Sequence, residues 1–256
     1  MEQTGDEKIF LTGQWRHLAM INFEIDPALL LPRVPPGTEL DLFEGKALLS
    51  AVGFMFTDTA IFGIPVPMHR NFEEVNLRFN VRRHTPDGVR RGVVFIKEIV
   101  PSWAVAQVAR AIYNENYTAL PMDHHVDLSD GALAAGGRVE YAWRIGPRWH
   151  RLRVQTSGAA FLPPPGSVEN FIVEHYHGYV TQRDGCCMEY RVAHDPWRVW
   201  PVSGALLETD VAALYGTEFC DALNAAPHSA LLAEGSPVVV HRGCRMPAEV
   251  AHEHHG

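Results

Sequence analysis

The chain has 256 residues, of which 46% are hydrophobic and 20% charged. A chain of this composition can bury one large core, and a β domain can use the whole length. The formal net charge is −8 and the pI is about 5.9. Nucleic acid is therefore not expected as a partner, because phosphate binding needs a basic surface.

The cysteines and the chain start suggest a reducing compartment. Cys186, Cys187, Cys220 and Cys244 form no C-x-x-C pair, so we expect free thiols rather than a zinc site. The first residues are polar and acidic, unlike a signal peptide, and no apolar run reaches the roughly 18 residues of a membrane span. The sequence predicts a soluble cytoplasmic protein with no metal, no cofactor and no membrane contact.

The first quarter of the chain is predicted to contain strands, turns and one short helix. Asp26-Pro27 is a helix start, with a capping side chain followed by proline in the first turn. The expected elements are a strand at 14–25, a helix at 28–31, a hairpin of 38–43 with 47–57 around Glu44-Gly45, and a loop at 61–68.

The stretch 74–82 alternates apolar and polar residues without a break, which predicts a strand with two different faces. The two faces are Val75, Leu77, Phe79 and Val81 on one side, and Glu74, Asn76, Arg78, Asn80 and Arg82 on the other. The polar face is either the wet side of an antiparallel sheet or a polar wall inside a cavity. The residues alone leave both interpretations open.

The strand at 92–100 is apolar except for Lys97 and Glu98, which face opposite sides. Lys97 either extends its amine to water from a sheet edge or is a desolvated amine with a lowered pKa. Ser102 is predicted to cap a helix at 103–113.

The second half of the chain is rich in turn signals. The expected elements are hairpins 139–144/150–156, 179–182/186–194 and 229–233/237–242, a helix at 168–177, and short helices at 210–214 and 218–223. The overall pattern predicts a mainly β (α+β) fold, a strongly bent antiparallel sheet or barrel with a few short helices.

No phosphate-binding glycine loop, G-x-S-x-G motif or H-E-x-x-H motif occurs. Within the predicted helix 168–177, Glu174 and His177 have the i, i+3 spacing of paired helix ligands, although an ordinary polar helix face explains them equally. His194 ends a strand just before Trp197, a position suited to a site or to a structural hydrogen bond.

Several segments together resemble a known family. They are 15–58 with its Asp-Pro-Ala-Leu-Leu and Pro-Gly-Thr-Glu-Leu-Asp runs, Phe-Glu-Glu-Val-Asn-Leu-Arg at 72–78, Glu-His-Tyr at 174–176, and His-Asp-Pro-Trp at 194–197. The chain resembles the YqjF-like family of bacterial proteins over about residues 10–243. That family is similar in turn to the acetoacetate decarboxylase-like superfamily.

The resemblance implies one domain at 10–243 with flexible tails at 1–9 and 244–256, folded as a cone-like barrel around a small-molecule pocket. It also implies that Glu74 is the pocket carboxylate. Acetoacetate decarboxylases use a catalytic lysine that forms a Schiff base, but Tyr117 and Thr118 stand at the matching positions here. Without an amine there, the imine route is closed.

Three hypotheses follow for the function. The first is a non-imine proton-transfer, lyase or hydratase enzyme acting on a small polar oxo-acid. The second is a non-catalytic metabolite-binding module, and the third is a scaffold with a wet strand face. For the enzyme, the predicted catalytic residues are Glu74, Tyr117 and His194, and the predicted substrate-binding residues are Asn76, Arg78, Lys97, Glu174 and Trp197. The expected partner is a small-molecule ligand, and a homo-oligomer is possible.

Overall fold

The computed structural model describes residues 8–65, 70–129 and 132–246. Most of the predicted tails 1–9 and 244–256, and part of the predicted loop 61–68, lie outside the described residues. At the C-terminal end ordered structure continues past residue 243, because Cys244–Arg245 form a strand and Met246 is buried.

The described chain consists mainly of strands. The strands are β1 (Ile9–Ile25), β2 (Glu39–Leu40), β3 (Ala47–Ile61), β4 (Ile64–Pro65), β5 (Phe72–Thr85), β6 (Gly88–Val100), β7 (Tyr117–Ala119), β8 (Met122–Val126), β9 (Leu128–Ser129), β10 (Ala132–Leu133), β11 (Arg138–Ile145), β12 (Arg148–Thr156), β13 (His177–Thr181), β14 (Cys187–His194), β15 (Val199–Glu208), β16 (Ser229–Ala233), β17 (Pro237–His241) and β18 (Cys244–Arg245). The helices are α1 (Pro27–Leu30), α2 (Trp103–Tyr113), α3 (Val168–Val173), α4 (Val211–Leu214) and α5 (Cys220–Asn224), with 3-10 turns at Leu31–Arg33 and Thr217–Phe219. Within the described ranges, no helix is long and apolar enough to cross a membrane.

Seven strands pair in a closed ring. The order is β1, β3, β5, β6, β13, β14, β17 and back to β1. Neighbours in this ring are antiparallel except β6 and β13, which are parallel. A ring of this size encloses an interior that side chains or a small ligand can fill.

Strand β1 belongs to the ring and to a second sheet. Its first part pairs with β17, whereas Leu18–Asn22 pair with β16. Between these parts lies an irregularity at His17, a non-glycine residue with φ of 55°. From β16 the second sheet continues through β15, β12 and β11 to β8, so the bulge marks where the barrel ends and the outer sheet begins.

Strand β5 is covered on both faces from Glu74 to Val81. Its apolar residues, among them Leu77 and Phe79, belong to the same core as Tyr141 and Trp143 of the outer sheet. Glu74, Asn76 and Arg78 line the interior of the ring, and Glu74 is only 3% exposed, whereas Arg82 is exposed and pairs with Glu39 at the surface. Over residues 74–78 the polar face therefore lines the interior, as in the polar-wall interpretation, while at Arg82 it reaches the surface.

The predicted fold class, a strongly bent and mainly antiparallel sheet, is confirmed. The helix at 103–113 is also confirmed, and the Ser102 side chain accepts a hydrogen bond from the Val105 N–H. The hairpins at 139–156 and 179–194 are confirmed in their strand pairings.

Some pairings predicted from turn signals were wrong. β16 and β17 do not form a hairpin, because β1 lies between them and pairs with both. At Gly235, where φ is +83°, a Cβ atom would lie 2.0 Å from the Trp15 carbonyl oxygen, so glycine lets β1 pass this close. The predicted turn at Glu44-Gly45 is present, with one antiparallel bridge between Phe43 and Lys46, but β2 pairs with β5 rather than with β3.

Other corrections concern element boundaries. The predicted helix 168–177 ends at Val173, and His177 begins a strand, so Glu174 and His177 share no helix face. In addition, no strand was predicted at Val199–Glu208, where the structure has β15.

Candidate functional site

The barrel encloses a cavity of about 130 Å³. Each strand of the ring contributes at least one side chain to its wall, together with α2 and the segments after α2 and α3. One part of the wall is apolar and aromatic, and includes Trp15, Phe54, Phe56 and Phe72. The other part gathers polar groups: Glu74, Asn76, Arg78, Glu98, Glu115, Tyr117, His175, His177, Tyr190 and His194.

Glu74 lies in the polar wall. Asn76 donates to its Oε1 at 3.2 Å, and the Tyr117 hydroxyl donates to its Oε2 at 3.4 Å. Burial raises the pKa of Glu74 to about 8, and the nearby Glu115 carboxyl adds to the rise, while the hydrogen bond from Asn76 opposes it. At neutral pH this carboxyl is mostly protonated, yet it can ionise at moderate cost.

Two further carboxyls line the same wall and were not predicted as site residues. Glu98 on β6 pairs with Asn76 across the strands, and its buried Oε2 has no hydrogen-bond partner among the described residues. Burial, followed by the charges of Glu115 and Glu74, raises the pKa of Glu98 well above its usual range. In the sequence, Glu98 stands out as a carboxylate in the strand predicted at 92–100, which is apolar apart from Lys97 and Glu98.

Glu115 follows α2, and burial raises its pKa to about 7. The Tyr190 hydroxyl donates to Glu115 Oε1 at 2.7 Å. No local pattern marks Glu115, because only the closed ring brings β14 to it.

Arg78 is the only Arg or Lys among the described residues that line the cavity. Its Nη2 donates to the Ile172 carbonyl oxygen at 3.4 Å, but its buried Nε has no hydrogen-bond partner in the described chain. Burial lowers the pKa of Arg78 to about 10, so the side chain remains a cation at neutral pH.

His194 and Trp197 form an aromatic stack at the wall. The His194 ring lies 4.2 Å from Trp197 and 4.6 Å from Tyr176, centroid to centroid. His194 Nδ1 contacts the Asp195 carbonyl oxygen at 2.9 Å, which requires Nδ1 to carry the proton. Burial lowers the pKa of His194, so the ring is predominantly neutral at neutral pH.

Lys97 and Glu174 do not line the cavity, in contrast to their predicted substrate-binding roles. Lys97 pairs with Leu77, on the face of β6 opposite to Glu98, and burial lowers its pKa. Glu174 instead accepts a short hydrogen bond from the Tyr176 hydroxyl. The structure therefore brings together Glu74, Asn76, Arg78, Tyr117, His194 and Trp197 of the eight predicted residues.

No lysine lines the cavity in the described part of the chain, where Lys8 and Lys46 are also located. Lys46 instead pairs with Glu24 on the surface. Among the described residues, no group of three or more His, Cys, Asp or Glu side chains is arranged to hold a metal ion.

The fold is that of the acetoacetate decarboxylase-like enzymes. The chain superposes on an acetoacetate decarboxylase-like enzyme from Sphingomonas wittichii RW1 with a TM-score of 0.66 and 12% identity, covering 93% of this chain and 94% of that one. It also superposes on the enduracididine biosynthesis enzyme MppR complexed with pyruvate, with a TM-score of 0.65 and 12% identity, covering 96% and 94% of the two chains. At this identity the likeness shows the fold alone.

Sequence similarity places the chain more narrowly. Residues 12–237 match the model of DUF2071, a family described as an uncharacterized conserved protein, and the chain belongs to this family. It is 26% identical over 186 residues to the uncharacterized protein YqjF of Bacillus subtilis (strain 168), which covers 72% of each chain.

Proposed function

We propose that the cavity binds a small oxo-acid and transfers a proton at the carbon next to its carbonyl group, without forming an imine. Glu74 is the acid–base group, and Arg78 holds the substrate carboxylate. Asn76 and Tyr117 contact the carbonyl oxygen. The reaction class is lyase-like or hydratase-like proton transfer.

The observation that carries this proposal is the presence of Arg78 and Glu74 on the same polar wall of the cavity. The buried Arg78 Nε has no protein partner among the described residues, and such an unmade hydrogen bond costs about 1–3 kcal/mol. A substrate carboxylate would supply acceptors for the guanidinium group in a charge-assisted contact. It would thereby place the substrate beside a carboxyl whose pKa of about 8 lies near physiological pH.

The cavity volume indicates the size of the substrate. Its 130 Å³ is close to the roughly 150 Å³ of an engineered apolar cavity that holds benzene. A molecule of about four to eight non-hydrogen atoms fits this space. The fold neighbour MppR was solved with pyruvate, a ligand in this size range.

Tyr117 supports the transition state of the proposed step. Burial, with the nearby carboxyls, raises its pKa well above the usual range, so its hydroxyl is a neutral donor. When a proton leaves the carbon next to a carbonyl, negative charge develops on the carbonyl oxygen. A fixed donor in a cavity shielded from water stabilises that charge.

The absence of an imine step follows from the lysines. The three lysines of the chain are Lys8, Lys46 and Lys97, and none belongs to the described cavity wall. Borohydride reduction in the presence of acetoacetate is therefore expected to leave the protein mass unchanged. A stable adduct on Lys97 would contradict this part of the proposal.

A second candidate is a non-catalytic binding module, favoured by the aromatic half of the wall. Two measurements separate it from the enzyme. The first is the thermal shift caused by 2-oxobutyrate, and the second is deuterium incorporation at its C3 carbon in D2O, followed by proton NMR. The enzyme gives both signals, and Glu74→Gln slows the exchange about 100-fold.

Binding without exchange would favour the binding module. Neither binding nor exchange with 2-oxobutyrate or pyruvate would overturn the proposal. Arg78→Met serves as the variant for the carboxylate contact and is expected to abolish the thermal shift.

A further inference from the structure

We infer that Asn76 and Glu98 form a subsite for a cationic group, so that the substrate of this cavity is a small oxo-acid that also carries a protonated amine. The inference rests on the proposed function and names its substrate class. The substrate carboxylate remains at Arg78, and its ammonium group lies between Asn76 and Glu98.

Two buried acceptor oxygens of the polar wall have no donor. They are Asn76 Oδ1 and Glu98 Oε2, which have no hydrogen-bond partner within the described chain. Asn76 is 3% exposed and Glu98 is 1% exposed, and both line the cavity. Buried acceptors without a donor are unfavourable, and a ligand that brings N–H groups into the cavity would satisfy them.

The two acceptors belong to neighbouring strands. Asn76 on β5 pairs directly with Glu98 on β6, and directly opposed residues have Cβ atoms about 4.5–5.5 Å apart. A primary ammonium group carries three N–H donors. One such group between the two side chains can therefore donate to both.

The protein donors in this part of the wall are already used. Asn76 Nδ2 donates to Glu74 Oε1 at 3.2 Å, and the Tyr117 hydroxyl donates to Glu74 Oε2 at 3.4 Å. Tyr117 also reaches the Glu98 carboxyl, but its single proton cannot serve both carboxyls. A donor for Glu98 Oε2 is thus left to a ligand.

The charges of the wall favour a ligand that carries both signs. Asn114, with φ of 59°, ends α2 and turns the chain, so that Glu115 joins Glu74 and Glu98 in the wall. Negative charge on Glu115 raises the pKa of both Glu74 and Glu98, which shows that the three carboxyls lie close enough to interact. A simple carboxylate ligand adds another negative charge to this group, whereas an amino acid adds no net charge.

The strand spacing sets the length of the ligand. Asn76 and Arg78 are two residues apart on one face of β5, which is about 7 Å. A carboxylate at Arg78 and an ammonium group at Asn76 are then separated by a few carbon atoms. Asn76 can still contact the substrate carbonyl oxygen, because its amide nitrogen carries two hydrogens and its oxygen is a separate acceptor.

The test compares two acids that differ only in the cationic group. 4-Aminobutyrate and pentanoate have chains of equal length, with an ammonium group in one where the other has a methyl group. Titration calorimetry on the wild-type protein is expected to give a Kd about tenfold lower for 4-aminobutyrate. Without the subsite the order is reversed, because an ammonium group loses its hydration on entering the cavity.

Proton release is a second readout. Burial raises the pKa of Glu98 well above its usual range, so this carboxyl is protonated in the empty cavity and ionises when it holds an ammonium group. The titratable groups around it are Glu74 on β5, and Glu115 and Tyr117 in the segment after α2. In two buffers of different ionisation enthalpy, 4-aminobutyrate is expected to release roughly one proton more than pentanoate.

Glu98→Gln removes the charge and keeps the shape of the side chain. It is expected to abolish both the preference for 4-aminobutyrate and the additional proton release. Arg78→Met is expected to weaken both acids to a similar extent, because it removes only the carboxylate contact. Glu140→Gln on the outer sheet is the matched control and is expected to keep the wild-type values.

The inference is overturned if pentanoate binds to the wild-type protein as tightly as 4-aminobutyrate, or if Glu98→Gln keeps the preference. Equal binding would mean that water, or a proton shared between Asn76 and Glu98, satisfies the two acceptors. Binding of neither acid also overturns the inference. The comparison on the wild-type protein decides the matter even if Glu98→Gln does not fold.

The proposed function is judged separately with 2-oxobutyrate, which has no amine. Exchange of 2-oxobutyrate without a preference for 4-aminobutyrate refutes the cationic subsite alone. A preference for 4-aminobutyrate without exchange of 2-oxobutyrate supports the subsite and counts against the proton transfer.

Discussion

Strands β5 and β12 have the same alternating pattern but opposite environments. On β12, Leu152 and Val154 are buried, while Arg151 and Arg153 on the other face are about two-fifths exposed. On β5, both Leu77 and Glu74 are buried. Alternation therefore shows that a strand has two faces, and the number of layers packed on it decides whether the polar face is wet.

The difference between the strands lies in what covers them. β12 belongs to the outer sheet, and its arginines pair with Glu140 and Glu208 near the surface. β5 belongs to the ring, and its apolar face packs against that outer sheet. Its polar residues Glu74, Asn76 and Arg78 then face the cavity.

The largest difference between the two polar faces is expected in activity. Glu74→Gln should slow proton exchange on 2-oxobutyrate about 100-fold, because the acid–base group is lost. The matched variant Glu140→Gln, on the strand next to β12, should leave the rate unchanged. Equal rates for wild type and Glu74→Gln, measured by NMR in D2O, would make the two faces equivalent and refute the role of Glu74.

A second difference is expected in the pH dependence of stability. The pKa of Glu74 is about 8 in the folded chain and near 4.5 when unfolded, so the folded state binds more protons between these values. The contribution of Glu74 to the free energy of unfolding is therefore largest below its pKa in the unfolded chain. It is lost as pH rises through the pKa of about 8 in the folded chain. With Glu98 and Glu115 included, we expect the free energy of unfolding to fall on the order of 2 kcal/mol from about pH 6.5 to about pH 8.

The buried histidines act in a different pH range. Burial lowers the pKa of His175 and His194, so their contribution to stability is lost as pH falls below about 6.5. Urea unfolding at several pH values measures the free energy of unfolding as a function of pH. Above about pH 6.5, this free energy should fall less steeply with pH in Glu74→Gln than in the wild type. In Glu140→Gln it should fall as steeply as in the wild type. A flat wild-type profile would contradict the buried carboxyls.

A smaller effect is expected from the two arginines. Arg78→Met should leave the free energy of unfolding unchanged or raise it by about 1 kcal/mol, because a buried charge without an ionised partner is removed. Arg153→Met should change it by less than about 0.5 kcal/mol. Chemical denaturation of both variants checks this, and a loss of several kcal/mol in Arg78→Met would mean that Glu74 is ionised and paired.

The smallest effect concerns the ion pair of the outer sheet. Arg153 Nη1 lies 3.8 Å from Glu140 Oε2, and the Arg153 side chain is 39% exposed. A double-mutant cycle with alanine at both positions should give a coupling energy below about 0.5 kcal/mol. A larger value would show that this outer face is shielded from water more than its exposure indicates.

Local signals predicted much of the fold. The alternation of 74–82 predicted β5, and Ser102 predicted the start of α2, because both depend on residues close in sequence. The turn at Gly235 predicted a hairpin that does not form, because a turn signal says nothing about a third strand lying between its arms.

The site was predicted only in part for the same reason. Glu74, Asn76 and Arg78 were chosen from one strand, and a single strand keeps its own residues together. Glu98 and Glu115 join them through pairing between β5 and β6 and through the chain reversal at Asn114. Lys97 was wrongly predicted to bind the substrate, because the sequence does not show which face of β6 lines the cavity.

The position of β1 has a consequence for how the protein is made. Asn22 Nδ2 donates a hydrogen bond to Ser229 Oγ, 207 residues further along the chain. The two strands that pair with this edge of β1 are β16 and β17, both near the end of the described residues. At roughly 5–20 residues per second, the ribosome needs about 10–40 s to synthesise this interval. During that time β1 lacks these neighbours in the newborn chain, so the ring closes only after this long interval has been made, and the apolar residues of β1 remain available to chaperones until then.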